Sequence, residues 1–186
     1  MNLESNPQTS GHRSASTEEH RAQAPHSVRC WVLTVSDTRT KDDDRGGALI
    51  KVLLEAAGHE IIGYQIVRDE ISAIRDAAQI ALLDSPQVLI VTGGSGIGAR
   101  DVSPEALRPM LSKEMPGFGE VFRVLSWEEV GAATMLSRAF AGVITTGAQS
   151  TLLFVLPGST NAVRLALEKL IVPELGHLVR EIQGKD

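Results

Sequence analysis

The stretch that decides the fold is Val88-Leu89-Ile90-Val91-Thr92-Gly93-Gly94-Ser95-Gly96-Ile97-Gly98. Its first half is a short apolar run without a polar face, which is typical of a strand buried on both sides in a parallel sheet. Its second half places four glycines within six residues. Glycine permits positive φ and close approach of the backbone, so successive N–H groups can point into one concavity and bind an anion. The stretch therefore predicts a strand that ends in a phosphate-binding or carboxylate-binding loop.

The segments before this loop alternate between strands and helices. Residues 30–35 and 60–67 are rich in apolar residues, which predicts two further strands. Apolar residues at helical spacing predict helices over 47–57, with Gly58 as a C-cap, and over 71–83. This β-α-β-α-β order predicts an α/β domain with a mainly parallel sheet that helices cover on both sides. Ligands of such sheets bind beyond the carboxyl ends of the strands, so the loops that follow the strands should share one functional edge.

The second half of the chain is less regular. Ser103 has the pattern of an N-cap and Pro104 that of a first helical residue, so a helix should begin there. Residues 146–149 predict a hairpin turn, and Pro173 should interrupt the C-terminal helix. The other predicted elements are helices over 119–125 and 127–136, strands over 139–145 and 151–156, a long helix from Ser159 to residue 171, and a last turn to residue 182.

The composition indicates which class of protein this chain belongs to. A chain of 186 residues with 42% hydrophobic residues suits one globular domain, which we place at 27–186. Residues 1–26 contain almost no large apolar side chain and are predicted to form a disordered tail. The only cysteine, Cys30, lies in an apolar run, so no intrachain disulfide can form and a reducing compartment is expected.

Charge and hydropathy exclude several kinds of partner. The net charge is −5 and the basic residues are scattered, which disfavours nucleic acid as a partner. No stretch approaches the roughly 20 apolar residues of a membrane-spanning helix, and the N-terminus lacks the apolar core of a secretory signal. The sequence therefore predicts a cytoplasmic protein with neither a membrane nor a nucleic acid partner.

Two familiar phosphate-binding motifs do not fit the glycine loop. A P-loop has Lys and then Ser or Thr directly after its last glycine, whereas Ala99 and Arg100 stand here. Residues 94–99 formally match the dinucleotide fingerprint, but they follow the third strand, and the next helix signal comes only at Ser103. An acid about 20 residues further on would be Glu114, which does not end a predicted strand. A nicotinamide or flavin site is therefore not expected.

Charged residues stand at the same predicted edge as the loop. Arg100 and Asp101 follow the loop directly, and Asp69 follows the second strand. Magnesium is often held by one or two carboxylates plus phosphate oxygens, so Asp69 and Asp101 resemble a metal site for phosphoryl or nucleotidyl transfer. As alternatives, Asp69 is also a typical N-cap, and Arg100 with Asp101 a typical surface pair. Asp44, in a run of three aspartates, is a weaker candidate for this site.

The glycine loop is followed by the motif Arg100-Asp101-Val102-Ser103-Pro104-Glu105-Ala106. Together the two are similar to the TGG(T/S)G...RD(V)(T/S)PEA signature of the MoaB/Mog family of molybdenum cofactor biosynthesis. The resemblance covers residues 28–182, and the stretches 119–131 and 157–160 are most similar to the MoaB branch. The other matching motifs are Thr34-Val35-Ser36-Asp37, Asp44-Arg45-Gly46-Gly47, Gly58-His59, Asp69-Glu70, Pro116-Gly117-Phe118-Gly119-Glu120, Leu136-Ser137-Arg138 and Leu156-Pro157-Gly158-Ser159.

The resemblance implies a three-layer α/β/α molybdopterin-binding fold, assembled as a homo-oligomer that is usually a trimer or hexamer. The implied reaction transfers AMP from Mg-ATP to the terminal phosphate of molybdopterin and releases pyrophosphate. By position, Asp69 and Asp101 match the family's essential acids and are expected to hold Mg²⁺ and the transferring phosphate. The residues expected to bind the substrates are Thr92, Gly93, Gly94, Ser95, Gly96, Arg100, Ser137, Pro157, Gly158 and Ser159.

One position departs from the family pattern. Gly46 stands where relatives often have serine, which removes a hydroxyl contact. Some members of the MoaB branch lack the Arg-Asp pair, whereas this chain keeps Arg100 and Asp101, which favours an active enzyme. Two alternatives stay open: a non-catalytic molybdopterin-binding or assembly member of the same family, and a nucleotide-processing relative of the competence-damage-protein type.

Overall fold

The computed structural model describes residues 25–184. Residues 1–24, which make up nearly all of the predicted tail, lie outside the described range. Within the range, no helix is long and apolar enough to cross a bilayer.

One six-stranded sheet forms the centre of the molecule, with the strand order β2-β1-β3-β6-β5-β4. Strand β1 pairs in parallel with β2 and β3, and β3 pairs in parallel with β6. Strands β4 and β5 extend the sheet in antiparallel fashion beyond β6. The prediction of a mainly parallel sheet is confirmed. The strands are β1 (Arg29–Val35), β2 (Glu60–Val67), β3 (Val88–Thr92), β4 (Lys113–Glu114), β5 (Phe140–Thr146) and β6 (Gln149–Leu156).

Helices cover both faces of this sheet. Alternate residues of β1 enter two different cores, since Cys30 and Val32 face one core while Leu33 and Val35 face the other. The first core includes residues of α1, α4, α5 and α6, and the second includes residues of α2 and α3. The helices are α1 (Arg45–Ala56), α2 (Ile71–Leu83), α3 (Ser103–Leu107), α4 (Pro116–Val130), α5 (Thr160–Ala166) and α6 (Val172–Gln183), with 3₁₀ segments at Arg108–Met110 and Gly131–Leu136 and a π turn at Leu167–Ile171.

The region 116–136 differs from its prediction. It forms one helix, α4, and a 3₁₀ segment, where two helices over 119–125 and 127–136 were expected. The helix does not break at Ser126, because this buried residue lies one turn after buried Phe122 on the same face. It ends at Gly131, whose φ of +60° is left-handed. Strand β4 was not predicted, since two exposed polar residues show no periodicity.

The C-terminal predictions hold apart from the segment around Pro173 and the predicted last turn, which is the twelve-residue helix α6. The hairpin is confirmed, with Thr146 paired to Gln149 and Gly147 at a φ of +60°. The expected interruption near Pro173 takes the form of a π turn, in which the Val172 amide donates to the Leu167 carbonyl. A proline has no N–H and clashes with the preceding turn, and the wider turn accommodates it without ending the helix.

Candidate functional site

The glycine loop leaves β3 through two residues that only glycine accommodates well. Gly93 has a φ of +103° and Gly94 a φ of +61°. A Cβ on Gly93 would lie 2.1 Å from the Val35 carbonyl oxygen, so no side chain fits between β1 and the loop. The Gly93 amide donates to the Leu156 carbonyl oxygen at 3.0 Å, which ties the loop to β6.

Ser103 fixes the loop from the side of α3. Its hydroxyl donates to the Gly93 carbonyl oxygen at 2.8 Å, and its amide donates to the Gly94 carbonyl oxygen at 2.9 Å. The prediction of Ser103 as the N-cap was wrong, because Val102 holds that position without a side-chain cap. The hydroxyl is committed to the loop, which lies ten residues away in sequence.

The two predicted acids reach the loop from different elements. Asp69, at the end of β2, has its Oδ1 atom 3.0 Å from where a Cβ of Gly94 would stand. The Asp101 Oδ2 atom lies 2.7 Å from the corresponding point of Gly96 and accepts a hydrogen bond of 2.8 Å from the Gly98 amide. Glycines at these positions therefore make room for carboxylates. Asp69 is not an N-cap, since Glu70 precedes α2.

A third acid, Asp37, connects Asp69 with Arg100. The Arg100 guanidinium donates to Asp37 Oδ2 through Nη2 at 2.5 Å and Nε at 3.0 Å, while the Asp69 amide donates to Asp37 Oδ1 at 3.2 Å. The bond from Arg100 lowers the pKa of Asp37. Burial raises the pKa of Asp69, and the negative charges of Asp37 and Asp101 raise it further. Arg100, expected to bind substrate, is thus paired with Asp37, whose role the sequence did not indicate beyond its position in the Ser36-Asp37 motif.

Asp44 has a structural role, which overturns the weaker prediction that it belongs to the metal site. Its buried carboxylate caps α1 by accepting from the Gly47 amide at 2.9 Å. It also accepts from the Thr34 and Tyr64 hydroxyls, each at 2.6 Å. Three donors occupy this carboxylate, and burial together with Asp44 raises the pKa of Tyr64. The residue holds α1 against β1 and β2.

A polar cavity of about 320 Å³ opens beside the start of the loop. Thr92 and Gly93 line it from the strand, Gly158 and Ser159 from the turn after β6, and Arg39 brings a positive charge. The Thr92 hydroxyl donates to the Pro157 carbonyl oxygen at 3.0 Å and so joins the two turns. Gly158 approaches Gly93 so closely that its Cβ would lie 3.4 Å from the Gly93 Cα.

A second, mostly apolar cavity of about 260 Å³ lies further along the loop. Ser95 and Gly96 line it together with Ser137, Pro157 and Ser159, all five of which were expected to bind substrate. The Ser95 hydroxyl is buried and has no hydrogen-bond partner among residues 25–184. A buried polar group of this kind normally has a hydrogen-bond partner, and this hydroxyl lacks one within the described part of the chain. Asp69 and Asp101 stand outside the linings of both cavities.

Arg138 was not among the predicted site residues, although it follows Ser137 in a matching motif. Its guanidinium donates to the Gly96 and Asp101 carbonyl oxygens, each at 2.6 Å. Its other contacts are with the carboxylate of Glu105, whose pKa it lowers. These partners lie more than thirty residues away in sequence, so no local pattern could have indicated the contacts.

Comparison with known proteins agrees with this fold. Residues 31–177 match the family described as a probable molybdopterin binding domain. The chain is 52% identical over 169 residues to molybdenum cofactor biosynthesis protein B of Halalkalibacterium halodurans, covering 90% of this chain and 97% of that protein.

Two solved structures are similar along almost their whole length. A crystal structure of molybdenum cofactor biosynthesis protein B is 46% identical with a TM-score of 0.79, covering 86% of this chain and 98% of the other. The tungsten cofactor synthesizing protein MoaB from Pyrococcus furiosus is 39% identical with a TM-score of 0.81, covering 87% and 100%. The glycine loop with its two acids, the three-layer fold and these similarities lead to one conclusion: the chain belongs to the MoaB/Mog family of molybdenum cofactor biosynthesis proteins.

Proposed function

We propose that the protein transfers AMP from Mg-ATP to the terminal phosphate of molybdopterin and releases pyrophosphate. The observation that carries the proposal is the convergence of the Asp69 and Asp101 carboxylates on a glycine loop that opens into two cavities of different polarity. Acids beside a phosphate-binding loop suit nucleotidyl transfer, which depends on positioning and charge neutralisation.

The loop offers donors for phosphate oxygens. The amides of Gly93 and Gly98 are engaged by Leu156 and Asp101, whereas the amides of residues 94–97 have no acceptor within residues 25–184. Successive free amides in a turn with left-handed residues form an anion-binding concavity. Arg39 and Arg45 are among the residues that line the polar cavity, and positively charged residues suit a polyphosphate chain.

The mostly apolar cavity fits the pterin ring system of molybdopterin. Planar heteroaromatic ligands bind in concave sites with apolar walls and a few polar groups. Phe122 and Pro157 supply such walls, and Ser95, Ser137 and Asn161 supply polar atoms. Because both cavities border the same loop, a pterin in one places its phosphate next to a nucleotide in the other.

The chemistry of the donors fits magnesium. Asp69 and Asp101 are hard oxygen ligands, and Asp69 lies among charges that oppose its own ionisation, a conflict that a cation would relieve. Residues 25–184 contain no cluster of three or more acidic, His or Cys side chains suited to a metal, which leaves the remaining ligands to phosphates and water. When bound, magnesium would neutralise charge on the transferring phosphate.

The reaction balances without a protein nucleophile. An oxygen of the molybdopterin phosphate attacks the α-phosphorus of ATP, a new P–O bond forms, and the bond from the α-phosphorus to the bridging oxygen breaks to release pyrophosphate. A phosphate oxygen is already ionised at neutral pH, so no general base is required. The protein aligns the two phosphates along the loop and offsets the electrostatic repulsion between them.

Pyrophosphate release from Mg-ATP, measured with and without molybdopterin, tests this proposal. We expect release only with molybdopterin, and a loss of at least about a hundredfold in Asp69→Asn and Asp101→Asn, since each removes a charged ligand worth several kcal/mol. Asp76→Asn, an exposed aspartate on α2, serves as the control and should retain activity.

Other outcomes discriminate between the alternatives. A wild-type protein that binds molybdopterin but releases no pyrophosphate would be a binding or assembly subunit. ATP consumption that does not depend on the pterin would identify a nucleotide-processing enzyme.

A further inference from the structure

Arg138 contacts the loop region at several separate points. Its Nε atom donates to the Gly96 carbonyl oxygen and its Nη2 atom to the Asp101 carbonyl oxygen, each at 2.6 Å. The same guanidinium forms an ion pair with Glu105 on α3. The Arg138 amide adds a bond of 2.9 Å to the Ser95 carbonyl oxygen. One residue therefore contacts both ends of the segment 96–101.

This segment presents two groups of the site. It carries the Asp101 carboxylate, and it includes the Gly98 amide, which donates to that carboxylate at 2.8 Å. A guanidinium is planar and its N–H groups point in fixed directions, so the carbonyl oxygens of Gly96 and Asp101 are held at one separation. The shape of the turn, and with it the direction of the carboxylate, depends on that separation.

We infer that Arg138 is a positioning residue that holds segment 96–101 in the shape that presents Asp101 to a divalent cation and the substrate phosphate. The inference rests on the proposed function. Arg138 does not act on substrate directly, because four hydrogen bonds to Gly96, Asp101 and Glu105 engage its guanidinium.

Lysine cannot replace arginine in this role. Its single ammonium group has three donors on one atom and cannot span two carbonyl oxygens and a carboxylate in a plane. Arg138→Lys therefore keeps the charge and removes the bridging geometry, which separates positioning from simple electrostatics.

Arg108 offers a matched control. It lines the same surface cleft as Arg138, pairs with Glu114 at 2.6 Å and lies over the Phe140 ring at 4.6 Å. None of these contacts involves the glycine loop. Arg108→Lys thus disturbs a comparable surface arginine without touching segment 96–101.

The first measurement is hydrogen exchange of the full-length protein without substrates, followed by mass spectrometry of peptides. In Arg138→Lys we expect exchange of the Gly98 and Asp101 amides, which are hydrogen-bonded within segment 96–101, to rise at least about tenfold, while the peptides of β1, β3 and β6 stay protected. Arg108→Lys should leave loop exchange at the wild-type rate. Unchanged loop exchange in Arg138→Lys would overturn the inference whether or not the protein is an enzyme.

The second measurement is pyrophosphate release as a function of Mg²⁺ concentration. Arg138→Lys should lower kcat by about a hundredfold, the loss typical of a displacement of about 1 Å at a catalytic site, and should raise the Mg²⁺ concentration at half-maximal rate several-fold. The KM for molybdopterin should rise as well, because Gly96, whose carbonyl oxygen Arg138 holds, also lines the mostly apolar cavity. A variant that merely loosened the fold would not shift the magnesium dependence selectively.

The two measurements keep the inference separate from the proposed function. If the wild type releases no pyrophosphate but Arg138→Lys raises loop exchange, adenylyl transfer fails and the positioning of the loop stands. If the wild type is active and Arg138→Lys matches Arg108→Lys in kcat and magnesium dependence, the positioning role fails alone. Should Arg138→Lys not fold, Glu105→Gln replaces it as the test variant, because it weakens only the ion pair between Glu105 and Arg138. Loop exchange must then rise as well, by a smaller factor.

Discussion

The surroundings of Asp69 disfavour the negative charge of its carboxylate. Burial and the nearby carboxylates of Asp37 and Asp101 raise its pKa, while Arg100, which could compensate, is bonded to Asp37. Strain of this kind at a half-buried carboxylate is common at functional sites, where a ligand supplies the missing charge. For Asp69 the proposed ligand is a divalent cation, so stability and activity should respond in opposite directions when the charge is removed.

Asp69→Asn is expected to raise the Tm of the substrate-free protein at pH 7 by about 1–3 °C, a small shift because solvent screens the site. The raised pKa means that the folded state holds the Asp69 proton more tightly than the unfolded state does. The contribution of the Asp69 side chain to the free energy of unfolding is therefore fully present at low pH, and it is lost as the pH rises through the raised pKa. Differential scanning calorimetry should show the two proteins converging towards about pH 3, where both side chains are neutral.

Two further measurements test whether the charge of Asp69 causes this change in Tm. Asp76→Asn, on the exposed face of α2, should leave Tm unchanged at both pH values. Adding Mg²⁺ should stabilise the wild type and not Asp69→Asn. A lower Tm for Asp69→Asn at pH 7 would mean that the carboxylate has a stabilising partner in the substrate-free protein, and would contradict this account.

At the scale of elements, the glycine loop is fixed by its neighbours on three sides. Strand β6 accepts the Gly93 amide, Ser103 of α3 binds the carbonyls of Gly93 and Gly94, and Arg138 binds further along. The loop is therefore a shaped part of the fold, and its conformation is set before any ligand binds. That prior ordering suits a site that works by alignment.

Gly93→Ala tests how tightly the loop is built into the sheet. The new Cβ would stand 2.1 Å from the Val35 carbonyl oxygen at a φ of +103°, so either the loop or β1 has to move. We expect the free energy of unfolding, measured by urea denaturation, to fall by about 3 kcal/mol or more.

Gly117 supplies the matched control for this substitution. A Cβ there would meet nothing within 4 Å, and the residue lies in the first turn of α4. Gly117→Ala should be neutral or stabilise the protein by up to about 1 kcal/mol. Equal stabilities of Gly93→Ala and the wild type would show that the loop adapts freely.

Elements buried on both faces could be predicted from the sequence, and others could not. Strands β1 and β3 are recognisable because their apolar runs are continuous. Helix α4 was divided wrongly, since its apolar residues occur on both its buried and its exposed faces and give no single stripe. The edge that carries Asp69 and Asp101 was predictable from strand order, whereas the partners of Asp44 and Arg138 depend on tertiary contacts.

On the scale of the whole molecule, α4 and the 3₁₀ segment after it expose an apolar stripe. Its members, between 47% and 72% exposed, are Val121, Val124, Trp127, Val130, Met135 and Leu136. The four residues on α4 follow one another at intervals of three, which places successive members next to each other. Apolar surface of this extent on a helix whose other face is already buried favours cover by another protein surface.

A second copy of the chain is the occupant we expect, because the resemblance implies a trimer or hexamer. The stripe also reaches the site, since Val130 and Leu136 line the mostly apolar cavity. Assembly would therefore shield one side of the cavity proposed for the pterin.

Trp127→Glu should weaken this assembly. An unpaired carboxylate buried at the interface costs about 3 kcal/mol, which raises the dissociation constant about a hundredfold. Light scattering coupled to gel filtration should show the wild type at three or six times the mass of one chain and Trp127→Glu shifted towards one chain as concentration falls. Val52→Glu, at a 60% exposed valine of α1 outside the stripe, should assemble like the wild type. A wild type that stays monomeric at high concentration, or a Trp127→Glu variant of unchanged mass, would show that the stripe is not a surface between copies.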